Sequence, residues 1–258
     1  MRQGCYLCRM WLDEAKKVQV FEGVDRQDFE RDILPSQRPA ILKGAARHWP
    51  AVAKAAQGPE ALCDYFGAHA NEQKITFLSA RPEIDGRYSF SDDLRGLNHQ
   101  QRQLPFSVIA GLLLRDRDDD DAPPHYAGGV PVQHIMPGVL AESTLDLMPA
   151  DKPRQISLWI GNKTRTAAHW DLPQNLACVL AGKRRFTLFP INQIDNLYIT
   201  PLDLTLAGQP TSLFDHYLFQ PEGEAVAQIP AHARGQFGNM TLEIEKQLKA
   251  YVVQTLSR

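Results

Sequence analysis

The sequence of 258 residues lacks the features that identify several classes of protein. No apolar run approaches the roughly 18 to 20 residues that a transmembrane helix needs, so we expect no membrane partner. A formal net charge of −2 gives no electrostatic reason to expect a nucleic-acid partner. The first residues combine one arginine with a short apolar patch that charges interrupt. Such a start is a poor signal peptide, and we therefore expect a cytoplasmic protein.

Cysteine is also scarce, with four residues in the whole chain. Cys5 and Cys8 form a CxxC pair, but the sequence offers no second pair to complete a zinc site. A redox CxxC pair should open a helix after a strand, and no strand is expected before this one. Two incidental thiols are therefore favoured over a metal or redox pair. Cys178 lies in an apolar segment and is expected to be a small buried hydrophobic residue.

The first half of the chain mixes helical and strand patterns, and its length suits a single domain with a substantial core. Helices are expected at residues 11–34, 51–66 and 105–115, and strands at 38–44, 74–80 and 85–90. The acidic run at 115–124 ends in two prolines and is expected to be a solvated loop. A calcium loop is the alternative, but its ligand spacing is missing.

The pattern changes after residue 153, where short apolar segments follow one another with glycine or proline between them. Strands of this length separated by tight turns indicate a small antiparallel barrel or sandwich. These segments lie at 154–162, 164–171, 174–182 and 184–190. Beyond Pro201, helices are expected at 212–219 and 240–257. The second of these has apolar residues at four-residue spacing, namely Ile244, Leu248, Val252 and Leu256.

His169 and Asp171 form an HxD pair within one of these expected strands. Residues two apart in a strand point to the same face, so an imidazole and a carboxylate would project side by side. Those are two of the three ligands of a 2-His-1-carboxylate triad, which holds Fe(II) and leaves positions open for other ligands. An HxD pair alone is a weak motif, and a hydrogen-bonded His–Asp pair is its ordinary alternative.

The surrounding residues resemble a known family. LWIGNKTRTAAHWDLPQNLACVLAGKRRFTLFP (158–190) resembles the core of the JmjC-like cupin hydroxylases, and it looks closest to bacterial cupin-like domain proteins. Further similar segments lie at 38–52, 81–98, 124–138 and 197–213. The resemblance implies a mainly β fold with helical flanks, a double-stranded β-helix of the jelly-roll type. It also implies a helical lead-in at 1–37, a barrel at 38–213 and a C-terminal helical tail at 214–258.

The resemblance further implies iron and 2-oxoglutarate as cofactor and co-substrate. His169 and Asp171 match the first two iron ligands. The residues that match co-substrate positions are Thr166, whose hydroxyl would bond a carboxylate, Asn175 and Arg184, and Tyr126 would line the same pocket. Arg184 stands where better-known members carry a lysine that pairs with the distal carboxylate, and a guanidinium can bind a carboxylate through two hydrogen bonds. Ordinary strand polarity, an exposed cation or a buried aromatic residue are the alternatives for these four.

The chain departs from the family pattern at the third iron ligand, a late histidine that follows a tryptophan-rich stretch. The nearest string lies at 223–235 and contains His232, with no tryptophan before it. We interpret this region as the helical tail, with the segment that bears the last barrel strands missing near residue 213. His216 and His232 are weak substitutes, and we expect no histidine after Asp171 to complete the triad. Fe(II) should then bind weakly.

Two functions remain open on the sequence. The first is an Fe(II)- and 2-oxoglutarate-dependent oxygenase that hydroxylates a protein side chain or a small molecule. The second is a barrel with an impaired or absent metal site that binds a ligand or a protein partner. A cupin with another metal-dependent activity, such as isomerisation, would need a second ligand set that the sequence lacks. The resemblance also implies a homodimer formed through the C-terminal helices.

Overall fold

The computed structural model describes residues 18–91, 93, 95–147, 154–169, 174–186, 188–189, 199, 211–212 and 249–256. Residues 11–17 of the helix expected at 11–34, Cys5, Cys8 and most of the expected tail lie outside these residues. The strands are β1 (Gln19–Glu22), β2 (Ala40–Lys43), β3 (Lys74–Ala80), β4 (Arg87–Tyr88), β5 (His99–Pro105), β6 (His125–Pro131), β7 (Arg154–Gly161), β8 (Arg165–Thr166), β9 (Gln174–Ala181) and β10 (Lys249–Leu256).

The helices precede or connect the early strands. They are α1 (Arg26–Asp28), which continues through a π-helical turn (Phe29–Ile33) and a 3-10 turn (Leu34–Ser36), then α2 (Pro50–Gln57), α3 (Pro59–His69), α4 (Phe106–Arg115), α5 (Val132–Ile135) and α6 (Pro137–Glu142). Another 3-10 turn spans Pro82–Ile84. Among the described residues, no helix is long and apolar enough to cross a membrane.

A six-stranded antiparallel sheet dominates the fold, in the order β5-β3-β6-β7-β10-β9. β10 lies between β7 and β9, with Lys249 opposite Gly161 and Leu256 opposite Arg154. The helix expected over 240–257 is therefore wrong for Lys249–Leu256. A four-residue apolar spacing is also a multiple of two, so it fits a strand face, and this segment is rich in β-branched residues. The homodimer through C-terminal helices stays a prediction, since most of those residues lie outside the described ones.

One face of this sheet carries the hydrophobic core. Alternate residues of β7, Ile156, Leu158 and Ile160, are buried there with Phe77 of β3. The helices cover them with large apolar side chains, and Trp49, Leu62, Phe66, Phe106, Ile109 and Leu113 are each almost fully buried. Burying one such side chain contributes about 1.5–3 kcal/mol. The core thus fixes the sheet from its helical side.

The opposite face of the sheet meets a small second sheet, in which β4 pairs in parallel with β8. Tyr126 lies opposite Leu78, and His99 lies opposite Ala80 two residues farther along β3. Directly opposed residues share a face, so Tyr126 and His99 point away from the core. The Tyr88 ring of β4 contacts both, at centroid distances of 5.8 Å and 5.2 Å. Tyr88 therefore joins the two sheets.

Most of the expected elements are present, with instructive exceptions. The strands at 74–80, 154–162 and 174–182 and the helix at 105–115 are confirmed within a residue or two. The helix expected at 51–66 is two helices, because Gly58 separates them at φ 127°. Residues Gln19–Glu22 form β1 rather than part of a helix, and the strand expected at 184–190 is wrong for the residues described there. β5 was not expected.

Cys178 behaves as expected for a small hydrophobic residue. It packs against the core from β9, and burial raises the pKa of its thiol to about 12. A thiol with that pKa stays protonated at neutral pH.

Candidate functional site

His169 follows β8 and pairs with Thr211 in an isolated antiparallel bridge. The Ser212 N–H donates to the Ala168 carbonyl at 2.8 Å, which holds this stretch extended. His169 is exposed, and its Nδ1 lies 2.8 Å from the carbonyl oxygen of Ala167. A carbonyl oxygen only accepts, so Nδ1 must carry the proton. In the neutral ring the lone pair is then on Nε2, which is an arrangement that metal-binding histidines use.

Asp171 lies outside the described residues, as do His216, His232 and the chain around residue 213. The convergence of His169 and Asp171, and the missing segment, therefore stay predictions. Within the described part of the chain, no group of three or more His, Cys, Asp or Glu side chains could hold a metal ion.

Thr166 and Tyr126 belong to the region between the two sheets. Thr166 lies directly opposite Tyr88 in the small sheet, and both Thr166 and Tyr126 are partly buried. The Tyr88 ring lies 5.8 Å from the Tyr126 ring at an interplanar angle of 35°. Tyr88 thus links two of the four residues that the sequence assigned to the co-substrate.

Asn175 and Arg184 lie near opposite ends of β9. Asn175 lies opposite Thr255 of β10, which in turn lies opposite Gln155 near the start of β7. Tyr126 lies opposite Gly161, at the other end of β7. Arg184 follows the end of β9 that is level with Gly161, and it is partly buried with its guanidinium 5.5 Å from the Phe186 ring centre. The register therefore groups Arg184 with the end of the sheet that bears Tyr126 and separates Asn175 from that end.

Tyr88 and His99 are candidate site residues that sequence reasoning missed. Tyr88 is 6% exposed, and its hydroxyl has no hydrogen-bond partner among the described residues. The same holds for His99 Nε2. Each unpaired buried polar atom costs about 1–3 kcal/mol, so such atoms are rare outside functional regions. No residue-type pattern in the sequence identifies them, because they meet only when the two sheets pack.

The proton positions on these two residues follow from their surroundings. Burial, and then the neighbouring Tyr126, raise the pKa of the Tyr88 phenol, which stays protonated. The Asn98 amide is oriented by Ser89 N–H donating to Oδ1 at 3.0 Å and by Nδ2 donating to the Arg87 carbonyl at 2.8 Å. His99 Nδ1, 3.2 Å from that Oδ1, therefore carries a proton. Burial lowers the pKa of His99, so its Nε2 is a neutral acceptor.

A second polar network lies at the end of the core face. His125 is 2% exposed, and its Nε2 lies 2.6 Å from Asp116 Oδ2 while the Ser79 hydroxyl lies 3.2 Å from its Nδ1. Arg115 hydrogen bonds lower the pKa of Asp116, and burial lowers the pKa of His125 although Asp116 opposes this. The hydrogen-bonded series Ser79–His125–Asp116 resembles a catalytic triad. The imidazole is buried, however, and its hydrogen bond to Asp116 connects the end of α4 to β6, so we interpret it as structural.

A cavity of about 300 Å³ lies elsewhere, on the core-face side of the sheet. It is lined by Leu140, Ser143, Thr144, Leu145, Asp146, Arg154 and Ile156. It contains none of the residues that the sequence assigned to iron or co-substrate, so it does not define the site.

Comparison with known proteins identifies the fold that carries these residues. The sequence matches the cupin-like domain family over residues 26–244. The chain belongs to the cupin-like domain family. A human relative (Homo sapiens), the bifunctional peptidase and (3S)-lysyl hydroxylase JMJD7, is 25% identical over 178 residues, which cover 63% of this chain and 50% of the relative. The mostly β architecture with helices fits a cupin-type fold.

A plant relative is more distant. The lysine-specific demethylase JMJ31 of Arabidopsis thaliana is 23% identical over 219 residues, which cover 73% of this chain and 39% of the relative. The chain thus spans half or less of the length of these two relatives. The expected membership of the JmjC-like, cupin-like proteins is confirmed by these matches.

Proposed function

We propose that this cupin-like protein is an Fe(II)- and 2-oxoglutarate-dependent oxygenase that hydroxylates a C–H bond of a protein side chain or a small molecule. The observation that carries the proposal is the tautomer of His169, which the Ala167 carbonyl fixes with the Nε2 lone pair available to a metal. The names of the two relatives, a hydroxylase and a demethylase, support an oxygenase of the same general kind.

The residues of this chain would divide the work between metal and co-substrate. His169 and Asp171 would hold the iron, which supplies the oxidising chemistry together with 2-oxoglutarate and O₂. Arg184 would pair with the distal carboxylate of 2-oxoglutarate, since a guanidinium suits two parallel hydrogen bonds. Thr166 and Tyr126 would donate hydroxyl hydrogen bonds to the same group. The packing of the small sheet on the large one, joined by Tyr88, would keep water from this end of the site.

The proposal can be tested by measuring metal binding and 2-oxoglutarate turnover in the His169→Ala variant. Loss of one ligand should weaken Fe(II) or Mn(II) binding by at least roughly 100-fold and abolish 2-oxoglutarate turnover, measured as succinate formation. The melting temperature without metal should not change, because His169 is exposed. His134→Ala is the matched control, since His134 is an exposed histidine on α5. Unchanged metal affinity in His169→Ala would overturn the proposal.

A ligand-binding barrel with an impaired metal site is the second candidate. The observation in its favour is the lack of a recognisable third ligand, a late histidine after a tryptophan-rich stretch. Iron titration with and without imidazole separates the two functions. Turnover that rises with imidazole would identify an oxygenase short of one ligand, and alanine variants of His216 and His232 should leave it unchanged. Ligand binding without turnover under either condition would identify the binding protein.

A further inference from the structure

Two adjacent glycines in β6, Gly128 and Gly129, are needed for different reasons. Gly129 has φ +65°, a conformation that side chains other than glycine rarely adopt, and a Cβ there would meet nothing within 4 Å in the described part of the chain. Gly128 has no such backbone requirement. A Cβ on Gly128 would instead lie 2.8, 2.8 and 2.9 Å from Cε1, Cζ and Oη of Tyr126. The ring of Tyr126 therefore occupies the space where a side chain at position 128 would stand.

A bulge and a second glycine complete this arrangement. The pairing of β6 with β7 shifts between Ala127 and Val130, and bulges of this kind change the direction of neighbouring side chains. Gly161 lies opposite Tyr126, and a Cβ there would come 3.3 Å from Tyr126 Cδ2 and 2.6 Å from the His125 carbonyl oxygen. The Tyr88 ring contacts Tyr126 from the small sheet. We call the space bounded by Gly128, Gly161 and Tyr88 the tyrosine slot.

We propose that Gly128 is a positioning residue, which leaves room for the Tyr126 ring and so sets where its hydroxyl meets the carboxylate of 2-oxoglutarate. This inference rests on the proposed function for the identity of the carboxylate. Tyr126 can turn about only two side-chain bonds, so the walls of the slot determine the direction of its O–H. A hydrogen bond weakens steeply when its angle or distance departs from the ideal, so a small displacement of the ring has a large effect.

Gly128→Ala changes the slot with little effect on the fold. The three heavy atoms nearest to the new methyl group all belong to the far end of the Tyr126 side chain. The Tyr126 ring can therefore move while the backbone stays in place. Gly161→Ala is unsuitable, because its methyl group would collide with the His125 carbonyl. The control is Gly111→Ala in α4, where a Cβ meets nothing within 4 Å among the described residues.

The position of the ring can be measured without any turnover. Proteins with ¹³C-labelled tyrosine rings would be compared by NMR, with the Tyr126 resonance assigned from its loss in Tyr126→Phe. The Tyr126 resonance should shift in Gly128→Ala and stay unchanged in Gly111→Ala. A Tyr126 resonance that does not move in Gly128→Ala overturns the slot, whatever the protein binds.

The co-substrate role is tested by a double-mutant cycle on 2-oxoglutarate affinity with Mn(II) present. Gly128→Ala should weaken 2-oxoglutarate binding roughly 10- to 100-fold, the loss expected for one hydrogen bond to a charged group, with Mn(II) affinity unchanged. In the Tyr126→Phe background the same substitution should have almost no effect. An equal loss in both backgrounds overturns the role of Gly128. A wild-type protein that binds no 2-oxoglutarate overturns the proposed function and this co-substrate role, even where the resonance moves.

Discussion

The two faces of the six-stranded sheet differ in what they bury. The core face is mainly hydrocarbon, with Phe77, Leu158 and Ile160 packed beneath the helices, and the buried His125 at its end is hydrogen-bonded to Asp116. The other face carries Tyr126 and His99, and it meets a small sheet whose Tyr88 hydroxyl is buried without a partner among the described residues. Apolar packing is worth about 1.5–3 kcal/mol for each buried side chain, whereas unpaired polar atoms subtract from stability. The packing of one face thus offsets the cost of the unpaired polar groups on the other.

The largest expected effect comes from breaking the core face. Phe77→Ala should lower the free energy of unfolding by about 3–5 kcal/mol, because it leaves a cavity beside His125 and below the helices. Urea unfolding would measure the loss. Val179→Ala on β9 is the control, since Val179 is 42% exposed and should cost less than about 1 kcal/mol. Similar losses for the two variants would contradict the difference between the faces.

A smaller effect is expected from the polar side. Arg184→Ala should weaken 2-oxoglutarate binding roughly 10- to 100-fold, because it removes charge-assisted hydrogen bonds to a carboxylate. Metal affinity should change much less, and calorimetric titration of each ligand would show the difference. The neighbouring Lys183 is exposed, and Lys183→Ala serves as the control. Equal loss of both affinities, or loss of neither, would remove Arg184 from the site.

The smallest effect is a dependence of stability on pH. Burial lowers the pKa of His99 below the ordinary value of 6.5, so the unfolded chain gains a proton at a pH where the folded chain does not. Stability should therefore fall as pH drops through about 6.5, at most by about 1.4 kcal/mol per pH unit for one proton. His99→Gln should flatten this fall, and the exposed His134→Gln should not. Parallel curves of melting temperature against pH for wild type and His99→Gln would be the contrary result.

The sequence predicted elements whose pattern is local and strong. β3 and β7 are rich in β-branched and aromatic residues, and both were expected. β5 was not, because its polar sequence HQQRQLP forms a strand through pairing with β3. β10 was expected as a helix, since its spacing fits both periods. Tertiary pairing decided both of these segments.

In the candidate site too, residues in a local sequence pattern were predicted, and residues brought together only by folding were not. His169 was expected from its spacing to Asp171, and the family pattern added Tyr126 and Thr166. Asp116 was placed in a solvated loop, yet it is 8% exposed and bonded to His125. Tyr88 was not expected, because its role depends on the Tyr126 ring of another sheet. Gly128 was not expected, because the bulge that accompanies its close approach to the Tyr126 ring is visible only in the folded strand.

The central place of β10 has a consequence for how the protein is made. A ribosome completes β7 and β9 long before it reaches Lys249–Leu256. In the finished sheet β10 lies between these two strands and forms hydrogen bonds with both of them. Throughout that interval both strands present open backbone edges, which are prone to pair with other chains. Pairing across so great a separation in the sequence is also slow. The nascent chain should therefore depend on chaperones until Lys249–Leu256 have been synthesised and can pair.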